Sequence, residues 1–472
     1  MARVAVQLTN FTGGELSPRL DGRNDLAKYS SGCATLENLV VYPHGSAARR
    51  PGTNFVAEVK DSTKKTRLIP FEFSTTQTYM LEFGDQYIRF YKDNGQILSG
   101  GSAYEISTPY LEAELFDLKF AQSADVMYIC HPNHEVEKLS RTGHTSWSLT
   151  DVDFTNGPFL DANTTGTTLT PSNAATGSRT ITASAVTGIN GGSGFLATDV
   201  GRQIHFNSGY GVITAVGSTT SITVNVTTAF ANANAITNWY LGAFSDTTGH
   251  PSCVTFFEQR LVFAGTTDQP QTIFFSKSGD YENMDANIGG TVADDDAIIY
   301  TIASNQVNAI RFMTATRTLI IGTAGGEFTV SGGGTDSAVT PTNILIKKQS
   351  NHGAANVDAI AVGNATLFLQ RAKRKIRELA YNFDVDGYIA PDMTILAEHI
   401  SEGGLTQIAY QQEPNQIVYG VRGDGELVGL TYQREQQVTA WHRHIFGGRF
   451  GNATITVTDY ANIADGTRIV LT

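Results

Sequence analysis

Short apolar runs occur in pairs from about residue 65 onward, and a few turn-forming residues separate the two members of each pair. In TYMLEFGDQYIRFY, for example, two β-rich runs flank Gly84-Asp85. Such runs joined by Gly, Asn, Asp or Pro predict β-hairpins. The predicted turn centres are Gly84-Asp85, Pro132-Asn133, Thr267-Asp268, Gly325-Gly326, Ala372-Lys373 and Gly423-Asp424-Gly425.

The intervals between these turns are nearly constant. They measure about 47, 136, 57, 48 and 51 residues, so all but one lie near 50. One hairpin in each repeat of this size is the pattern of β-propeller blades. A single blade cannot bury both faces of its sheet, so consecutive blades must stack. We therefore predict an all-β, propeller-like platform in two parts, residues 61–157 and 247–450.

The one long interval contains a different kind of sequence. Residues 158–246 are rich in Thr, Ser, Ala, Asn and Gly and carry few charges. Alternating segments such as SRTITASAV and SITVNVTTAF predict strands, and aromatic residues such as Phe206 and Trp239 can fill a core. Removing this stretch restores an interval of about 47 residues. We predict a small inserted β-barrel or sandwich rather than a disordered low-complexity linker.

The two ends of the chain differ from the blades. Residues 1–60 are irregular and full of turn dipeptides, although apolar spacing from Leu26 to Leu39 predicts one short helix. This N-terminal arm cannot form a core alone, so we expect it to lie over a neighbouring domain or subunit. Residues 451–472 are predicted to begin a further β segment.

Composition narrows the function classes. The chain has 472 residues, 41% of them hydrophobic and 17% charged, which suits two or three globular domains. The N-terminal MARVAVQLTNF has no apolar region, so no secretory signal is expected, and the sequence has no apolar run of the roughly 18 residues that span a bilayer. The isolated Cys33, Cys130 and Cys253 are expected to be free thiols in a reducing cytoplasm. A net charge of −12 argues against a simple nucleic-acid binder and suits a channel in which DNA slides.

Two segments resemble a known family. FTGGELSPRLDGRNDLAKYSSGCATLENLVVYPHGSAARRPGTNFVAEV and SCVTFFEQRLVFAGTTDQPQTIFFSKSGDYENM are similar to the tail nozzle (tail tubular protein B) proteins of short-tailed bacteriophages. The resemblance covers about residues 8–450, and its most specific parts are Phe11–Thr53 and Arg260–Asp280. The insertion is similar to a small β module of ubiquitin-activating enzymes, which implies a β module but none of that chemistry.

The resemblance implies a structural virion protein that is not an enzyme and needs no cofactor. It implies a homohexameric tail tube, assembled in the bacterial host cytoplasm and placed below the portal and adaptor rings. Such a head-tail connector part retains the packaged double-stranded DNA and conducts it during genome ejection, without specific binding. The expected partners are further copies of the chain, the adaptor and tail fibres.

A docking interface is predicted in the arm. Arginine suits ion pairs at interfaces, so Arg49-Arg50 is a candidate contact with the adaptor, with a solvated loop as the alternative. The run from Phe11 to Pro18 is a candidate ordered segment, because Phe11 and Leu16 need burial. The candidate docking residues are Phe11, Gly13, Gly14, Glu15, Pro18, Arg49 and Arg50.

Metal and nucleic-acid sites are weaker hypotheses. His131 and His134 flank a turn, and His442 and His444 share one face of a strand, but no Cys or carboxylate pair lies at zinc spacing. The acidic run Asp294–Asp296 lacks the distal acidic residue of a calcium loop. We predict no metal site. The basic run Arg371–Arg377 is interpreted as the solvated face of a hairpin, because aromatic residues do not interleave it.

One enzymatic alternative stays open. The chain lacks a Walker loop, a GxSxG elbow and an HExxH motif. A propeller can still pair two carboxylates across a pocket, as glycosidases do. The alternative function is therefore a carbohydrate-binding or glycoside-hydrolysing propeller acting on the host surface. The carboxylates considered for such a pair are Glu72, Glu82, Asp85 and Glu327.

Overall fold

The computed structural model describes residues 8–74, 76–304, 308–334 and 337–446, and only the backbone of 449–450 and 453–454. Within these residues the regular elements are strands and short 3-10 helices. No helix among them is long and apolar enough to cross a bilayer. The predicted all-β fold is therefore confirmed.

The arm contains four short strands and two 3-10 turns. The first strand pairs with the second in parallel, and the third pairs with the fourth antiparallel. The helix predicted over Leu26–Leu39 is wrong, because Gly32 leaves the 3-10 turn in an extended conformation and pairs with Gly14. The strands are β1 (Gly14–Glu15), β2 (Gly32–Cys33), β3 (Leu39–Val41) and β4 (Ala47–Arg49), and the turns are Pro18–Leu20 and Ala27–Ser31.

Two antiparallel sheets, here called blades 1 and 2, follow the arm. In each, four strands lie side by side in sequence order, and β8 adds to the third strand of blade 1. Blade 1 contains β5 (Arg67–Ser74), β6 (Gln77–Gly84), β7 (Tyr87–Lys92), β8 (Gly95–Gln96) and β11 (Glu105–Ser107), and β9 (Leu98–Ser99) pairs with β10 (Ser102–Ala103) beside it. After a 3-10 turn at Glu112–Glu114, blade 2 contains β12 (Lys119–Ser123), β13 (Val126–His131), β14 (His134–Gly143) and β15 (Ser146–Asp151).

The inserted sequence forms one curled six-stranded sheet, here called the barrel. Leu169 in the first strand and Ile236, just before the last, exchange backbone hydrogen bonds of 2.9 and 3.0 Å, so the two edges meet. Phe206 stacks on Phe230 in its core at 4.2 Å. The strands, in the spatial order β16-β17-β20-β19-β18-β21, are β16 (Leu169–Pro171), β17 (Gly177–Ala183), β18 (Gln203–Phe206), β19 (Gly209–Ser218), β20 (Ser221–Thr228) and β21 (Trp239–Leu241), with 3-10 turns at Asn190–Gly192 and Ala197–Asp199.

Four further sheets, blades 3 to 6, repeat the four-stranded antiparallel order. Blade 3 contains β22 (Cys253–Phe257), β23 (Arg260–Ala264), β24 (Thr272–Phe275) and β25 (Ile298–Thr301), and blade 4 contains β26 (Ile310–Ala315), β27 (Leu319–Thr323), β28 (Gly326–Ser331) and β29 (Leu345–Ser350). Blade 5 contains β30 (Ile360–Val362), β31 (Ala365–Leu369), β32 (Ile376–Asn382) and β33 (Gly387–Ile389), and blade 6 contains β34 (Leu405–Gln411), β35 (Ile417–Arg422), β36 (Leu427–Gln433) and β37 (Val438–His444). Two 3-10 turns lie at Phe383–Val385 and Arg434–Gln436, and a short ladder pairs β38 (Arg449–Phe450) with β39 (Ala453–Thr454).

All six predicted hairpins are present, and each joins the second and third strands of its blade. These inner strands are covered on both faces: every residue of β23 and β31 is buried. Outer strands such as β25 and β33 are largely exposed or half-buried. The inner strand pairs are therefore recognisable in the sequence as apolar runs, whereas the outer strands are not.

Among the described residues, four pairs of consecutive blades share hydrophobic cores. Residues of blades 1 and 2 form one cluster around Phe83, Phe90 and Trp147. A second cluster joins blades 2 and 3 around Phe263, and a third joins blades 3 and 4 around Ile321. Blades 5 and 6 share a cluster that includes Trp441. This sharing is the stacking that a propeller-like fold requires.

The chain divides into two compact units. Unit 1 comprises residues 1–58, 322–327 and 348–472, and so holds the arm with blades 5 and 6. Unit 2 comprises residues 59–321 and 328–347, and so holds blades 1 to 3 and the barrel. The strands of blade 4 are divided between the two units. The domain boundaries predicted at residues 60, 157, 246 and 450 stay predictions, and most of 451–472 lies outside the described residues.

The three cysteines are free thiols, as predicted from their isolation in the sequence. Cys130 and Cys253 are buried and Cys33 is half-buried. Burial raises the pKa of the Cys130 thiol well above its ordinary value. These side chains therefore act as small apolar core residues.

An ion pair inside the barrel gives a stability test. Asp199 and Arg202 are 0% and 1% exposed and bond at 2.9 Å, so Asp199→Ala leaves a buried guanidinium without its carboxylate. Losing one partner of such a pair costs about 3–5 kcal/mol. We expect calorimetry to show a lower unfolding temperature for D199A, whereas D161A, at an exposed position, serves as the matched control. Equal melting of both variants would contradict this role.

Candidate functional site

The arm is held to blade 6 by one buried carboxylate, Glu15. Its side chain is 1% exposed, and Arg443 donates to both of its oxygens at 2.9 and 3.1 Å. The backbone N–H of Leu36 donates to Oε2 at 2.8 Å, and the Nε2 atom of His399 lies 2.9 Å from Oε1. Glu15 therefore joins two parts of the arm to blade 6 and to the loop before it.

The electrostatics of Glu15 favour its charged form. Burial alone raises the pKa of this carboxyl group, but the hydrogen bonds from His399, Leu36 and Arg443 outweigh burial and lower the pKa below its ordinary value. A buried charge of this kind is stable only when it is paired and hydrogen-bonded. The arm therefore depends on blade 6 being in place.

The two glycines before Glu15 allow the backbone of this segment to lie very close to neighbouring backbone. Gly14 has φ +66°, and a Cβ there would lie 2.3 Å from the backbone nitrogen of Trp441. At Gly13 a Cβ would lie 2.8 Å from the carbonyl oxygen of Lys28. A side chain at Gly14 would force the arm away from blade 6, and one at Gly13 would collide with the backbone of the arm itself. The Gly13-Gly14-Glu15 run thus works within the subunit.

The predicted docking residues consequently fall into two groups. Gly13, Gly14 and Glu15 are buried in unit 1, and Phe11 is half-buried beside a small cluster with Leu36 and Val41. Pro18 and Arg49 are exposed, and Arg50 is half-buried with its guanidinium 4.4 Å from the ring centre of Phe446. Among the predicted docking residues, Pro18 and Arg49 are therefore the two that are exposed to a partner.

A pocket of about 240 Å³ lies in unit 2, between blade 2, the barrel and the two linkers that join them. Glu135, Asp151 and Asp153 line one side, and His250 lies in the second linker. Burial, followed by the charge of Asp151, raises the pKa of Glu135. On the same strand, burial raises the pKa of Glu137 to about 7. An acid with a raised pKa beside a second carboxylate is the arrangement used in general acid catalysis.

The carboxylates considered from the sequence have separate roles. Glu82 accepts hydrogen bonds from the hydroxyl groups of Tyr87 and Tyr91, and Asp85 pairs with Lys64. Glu327 accepts from Ser350, and Glu72 is exposed. The acidic pocket is instead built from Glu135, Asp151 and Asp153, which the sequence analysis missed. The feature of the sequence that indicates this pocket is the Asp151-Val152-Asp153 run, which lies just before the inserted domain.

Histidine pairs occupy two different environments. His442 and His444 are buried in blade 6, where Nδ1 of His442 lies 2.8 Å from Nε2 of His444. Burial lowers the pKa of His442 to about 3 and that of His444 to about 4. His131 and His134 flank the inner turn of blade 2 and lie beside Glu114, a residue that the sequence analysis did not connect with them.

The acidic run Asp294–Asp296 and the basic run Arg371–Arg377 have different environments. Asp296 is buried and pairs with Lys277 at 2.8 Å, and Arg260 donates to the backbone carbonyls of Asp294 and Asp296. Calcium binding by the Asp296 carboxylate would have to displace the Lys277 ammonium group. Residues 371–375 are exposed in the turn of blade 5, as the solvated interpretation of the basic run requires.

Comparisons with known proteins give fold likenesses only. No family model and no curated protein matches the chain. Similar solved structures include Kluyveromyces lactis Hsv2p, with 8% identity and a TM-score of 0.32 over 79% of this chain and 95% of that chain. The β-propeller domain of Myceliophteria thermophila Cps50 (Swd1) has 8% identity and a TM-score of 0.34 over 78% and 100%. Apo AztD from Citrobacter koseri has 6% identity and a TM-score of 0.33 over 78% and 80%.

These scores are too low to bear on function. The propeller-like fold rests instead on the six antiparallel blade sheets of the described residues and on the cores that four pairs of blades share.

The Glu15 contacts predict a pH-dependent role for the arm. The folded pKa of Glu15 lies below its unfolded value of about 4.3, so its stabilisation is present above that pH and is lost as the pH falls through the folded pKa. Glu15→Gln should cost about 3 kcal/mol at pH 7. Calorimetry should show a gap in melting temperature between wild type and E15Q that shrinks on acidification.

Glu58→Gln is the matched control, because Glu58 is an exposed residue of the same segment. A gap between wild type and E15Q that stays constant with pH, or an equal effect of E58Q, would rule out the charge of Glu15 as the cause.

Proposed function

We propose that this chain is a structural component of a short bacteriophage tail. Copies of it would form the ring or tube, the nozzle, that continues the head-to-tail channel, retains packaged DNA and conducts it during ejection. The proposal starts from the resemblance carried by Phe11–Thr53 and Arg260–Asp280. Its partners are further copies of the chain, the adaptor on the portal side and tail fibres, with assembly in the host cytoplasm and residence in the virion.

The structural observation that supports this proposal is a group of exposed apolar side chains on blade 5. The turn between β32 and β33 carries Phe383 and Val385, and Tyr381 and Tyr388 lie on the two strands beside it; these four residues are here called the apex. Phe383 is 87% exposed, Val385 63% and Tyr381 49%. Clustered exposed apolar side chains mark surfaces that bind other proteins.

The apex has a defined shape in the isolated subunit. Tyr381 and Tyr388 face each other across the two strands, with ring centres 5.8 Å apart. The Tyr381 hydroxyl donates to Asp386 at 2.6 Å, and the Asn382 side chain accepts from the Asp384 backbone N–H at 2.8 Å. A preformed aromatic projection loses little entropy on binding, which is typical of interface anchors.

In a ring of identical subunits, the partner that binds the apex is a second copy of the chain. In a cyclic assembly each subunit presents one surface to the next and receives a different surface from the one before. The apex supplies a projecting surface of this kind, and the surface that receives it would belong to the neighbouring copy. Its ring order is expected to be six, as the family resemblance implies.

The charge of the chain suits conduction of DNA. A net charge of −12 disfavours phosphate binding, since affinity for DNA comes mainly from Lys and Arg contacts with phosphates. DNA in the lumen would then move without being held at specific sites. Binding of DNA by the purified chain should accordingly be weak.

The acidic pocket supports the alternative, a propeller that binds or hydrolyses host-surface glycans. Glu135 with a raised pKa and the neighbouring Asp151 would be its acid and its second carboxylate. This alternative requires glycan binding or cleavage that Glu135→Gln abolishes. A glycan-binding array and a reducing-sugar assay decide between the two functions.

Disruption of the apex tests the proposed assembly. Replacing both Phe383 and Val385 by Asp should leave folding intact, because both side chains are exposed. Loss of an interface anchor costs about 2 kcal/mol, roughly 30-fold in affinity, so the variant should fail to enter tails. The measurement is quantitative immunoblotting of purified particles produced with each variant.

Leu98→Asp is the control, since Leu98 is 54% exposed in β9, beside blade 1. Circular dichroism verifies that both variants fold. Normal incorporation of the apex variant into infectious particles would refute the role of this surface.

A further inference from the structure

Two histidines project from the same side of the inner hairpin of blade 2. His131 ends β13 and His134 begins β14, and the two are direct partners across the turn. Partners across an antiparallel pair point to one face of the sheet. Their ring centres are accordingly 5.1 Å apart.

A carboxylate from another part of the chain completes the group. Glu114 ends the 3-10 turn that precedes β12, and its Oε2 lies 3.0 Å from Nε2 of His134. The backbone N–H of Leu111 donates to the same oxygen at 2.9 Å and fixes the carboxylate. One ligand atom from each of Glu114, His131 and His134 lies within 4.8 Å of the other two.

This spacing is close to that of a metal centre. Three ligands about 2.0–2.1 Å from a tetrahedral ion are about 3.3 Å from one another, so small side-chain movements bring the three atoms into place. Nδ1 of His131 accepts a 3.3 Å hydrogen bond from the Asn133 N–H, which orients the imidazole ring. His134 and Glu114 are 23% and 18% exposed, which leaves a path for the ion.

We propose that Glu114, His131 and His134 bind a divalent transition-metal ion, Zn²⁺ in the first place. Two imidazoles and one carboxylate are a ligand set for zinc and its neighbours in the series, whereas Mg²⁺ and Ca²⁺ favour oxygen ligands alone. Three protein ligands leave one position for water or for a group from a partner. The ion ties the turn at Glu112–Glu114 to the inner hairpin of blade 2. This site is independent of the proposed tail function.

Cobalt and zinc titrations of the full chain test the site. After treatment with a chelator, the wild type should bind one Co²⁺ with the visible absorption of a tetrahedral complex, and Zn²⁺ should displace it. Calorimetric titration with Zn²⁺ should give one site, and the melting temperature should rise when the ion is present.

Glu114→Gln and His134→Gln should each weaken Zn²⁺ binding by at least about tenfold. His144→Gln is the matched control, because His144 is an exposed histidine of the same blade that bonds to Tyr79, and it should leave affinity unchanged. Absence of Co²⁺ and Zn²⁺ binding by the wild type would overturn the proposal. Binding that survives both substitutions in folded protein would overturn it as well.

Discussion

A strand pair that is apolar on both faces must be covered on both faces, and this constraint governs the whole chain. In blade 3 every residue of β23 and β24 is buried, and in blade 5 every residue of β31 is buried. No single sheet can supply such burial to itself. Neighbouring blades within each unit therefore share cores, as in the cluster common to blades 2 and 3. Hydrophobic burial, about 25 cal/mol per Å², is the dominant favourable term.

The N-terminal arm and the last blade are held together by a different interaction, a buried ion pair. Unit 1 brings together the arm and the last two blades, which are far apart in the sequence. The buried Glu15 carboxylate and Arg443 make this union electrostatic as well as apolar. Because an unpaired charge at this depth is strongly unfavourable, the arm can take its native position only after blade 6 has formed. The Gly13-Gly14-Glu15 run, which the sequence predicts as a docking surface, thus makes its contacts within the subunit and holds the arm on blade 6.

The sequence predicted the inner hairpins well because their signal is strong and local. The β-barrel was also predictable, since its strands alternate as half-buried strands do. The outer strands were harder to predict, because β25 and β33 have few buried residues. The helix predicted over Leu26–Leu39 failed for a tertiary reason: its apolar residues are used in pairing with β1 and packing on blade 6.

The candidate sites were much less predictable than the fold. Glu114 lies 17 residues before His131 in a turn of no distinctive sequence, and only folding brings the two together. The acidic pocket likewise depends on how the barrel meets blade 2, which no local pattern encodes. The apex was missed because Phe383 and Val385 look like ordinary core residues in the sequence, although they are 87% and 63% exposed.

The central claim is that copies of this chain surround the channel of a short tail. A cryo-electron microscopy reconstruction of the particle tail tests this directly. We expect a closed ring of identical subunits with an open axial channel, in which the apex of each copy contacts the next. A tail in which this chain is absent from the channel wall, or lies as a single copy with a glycan in the acidic pocket, would contradict it.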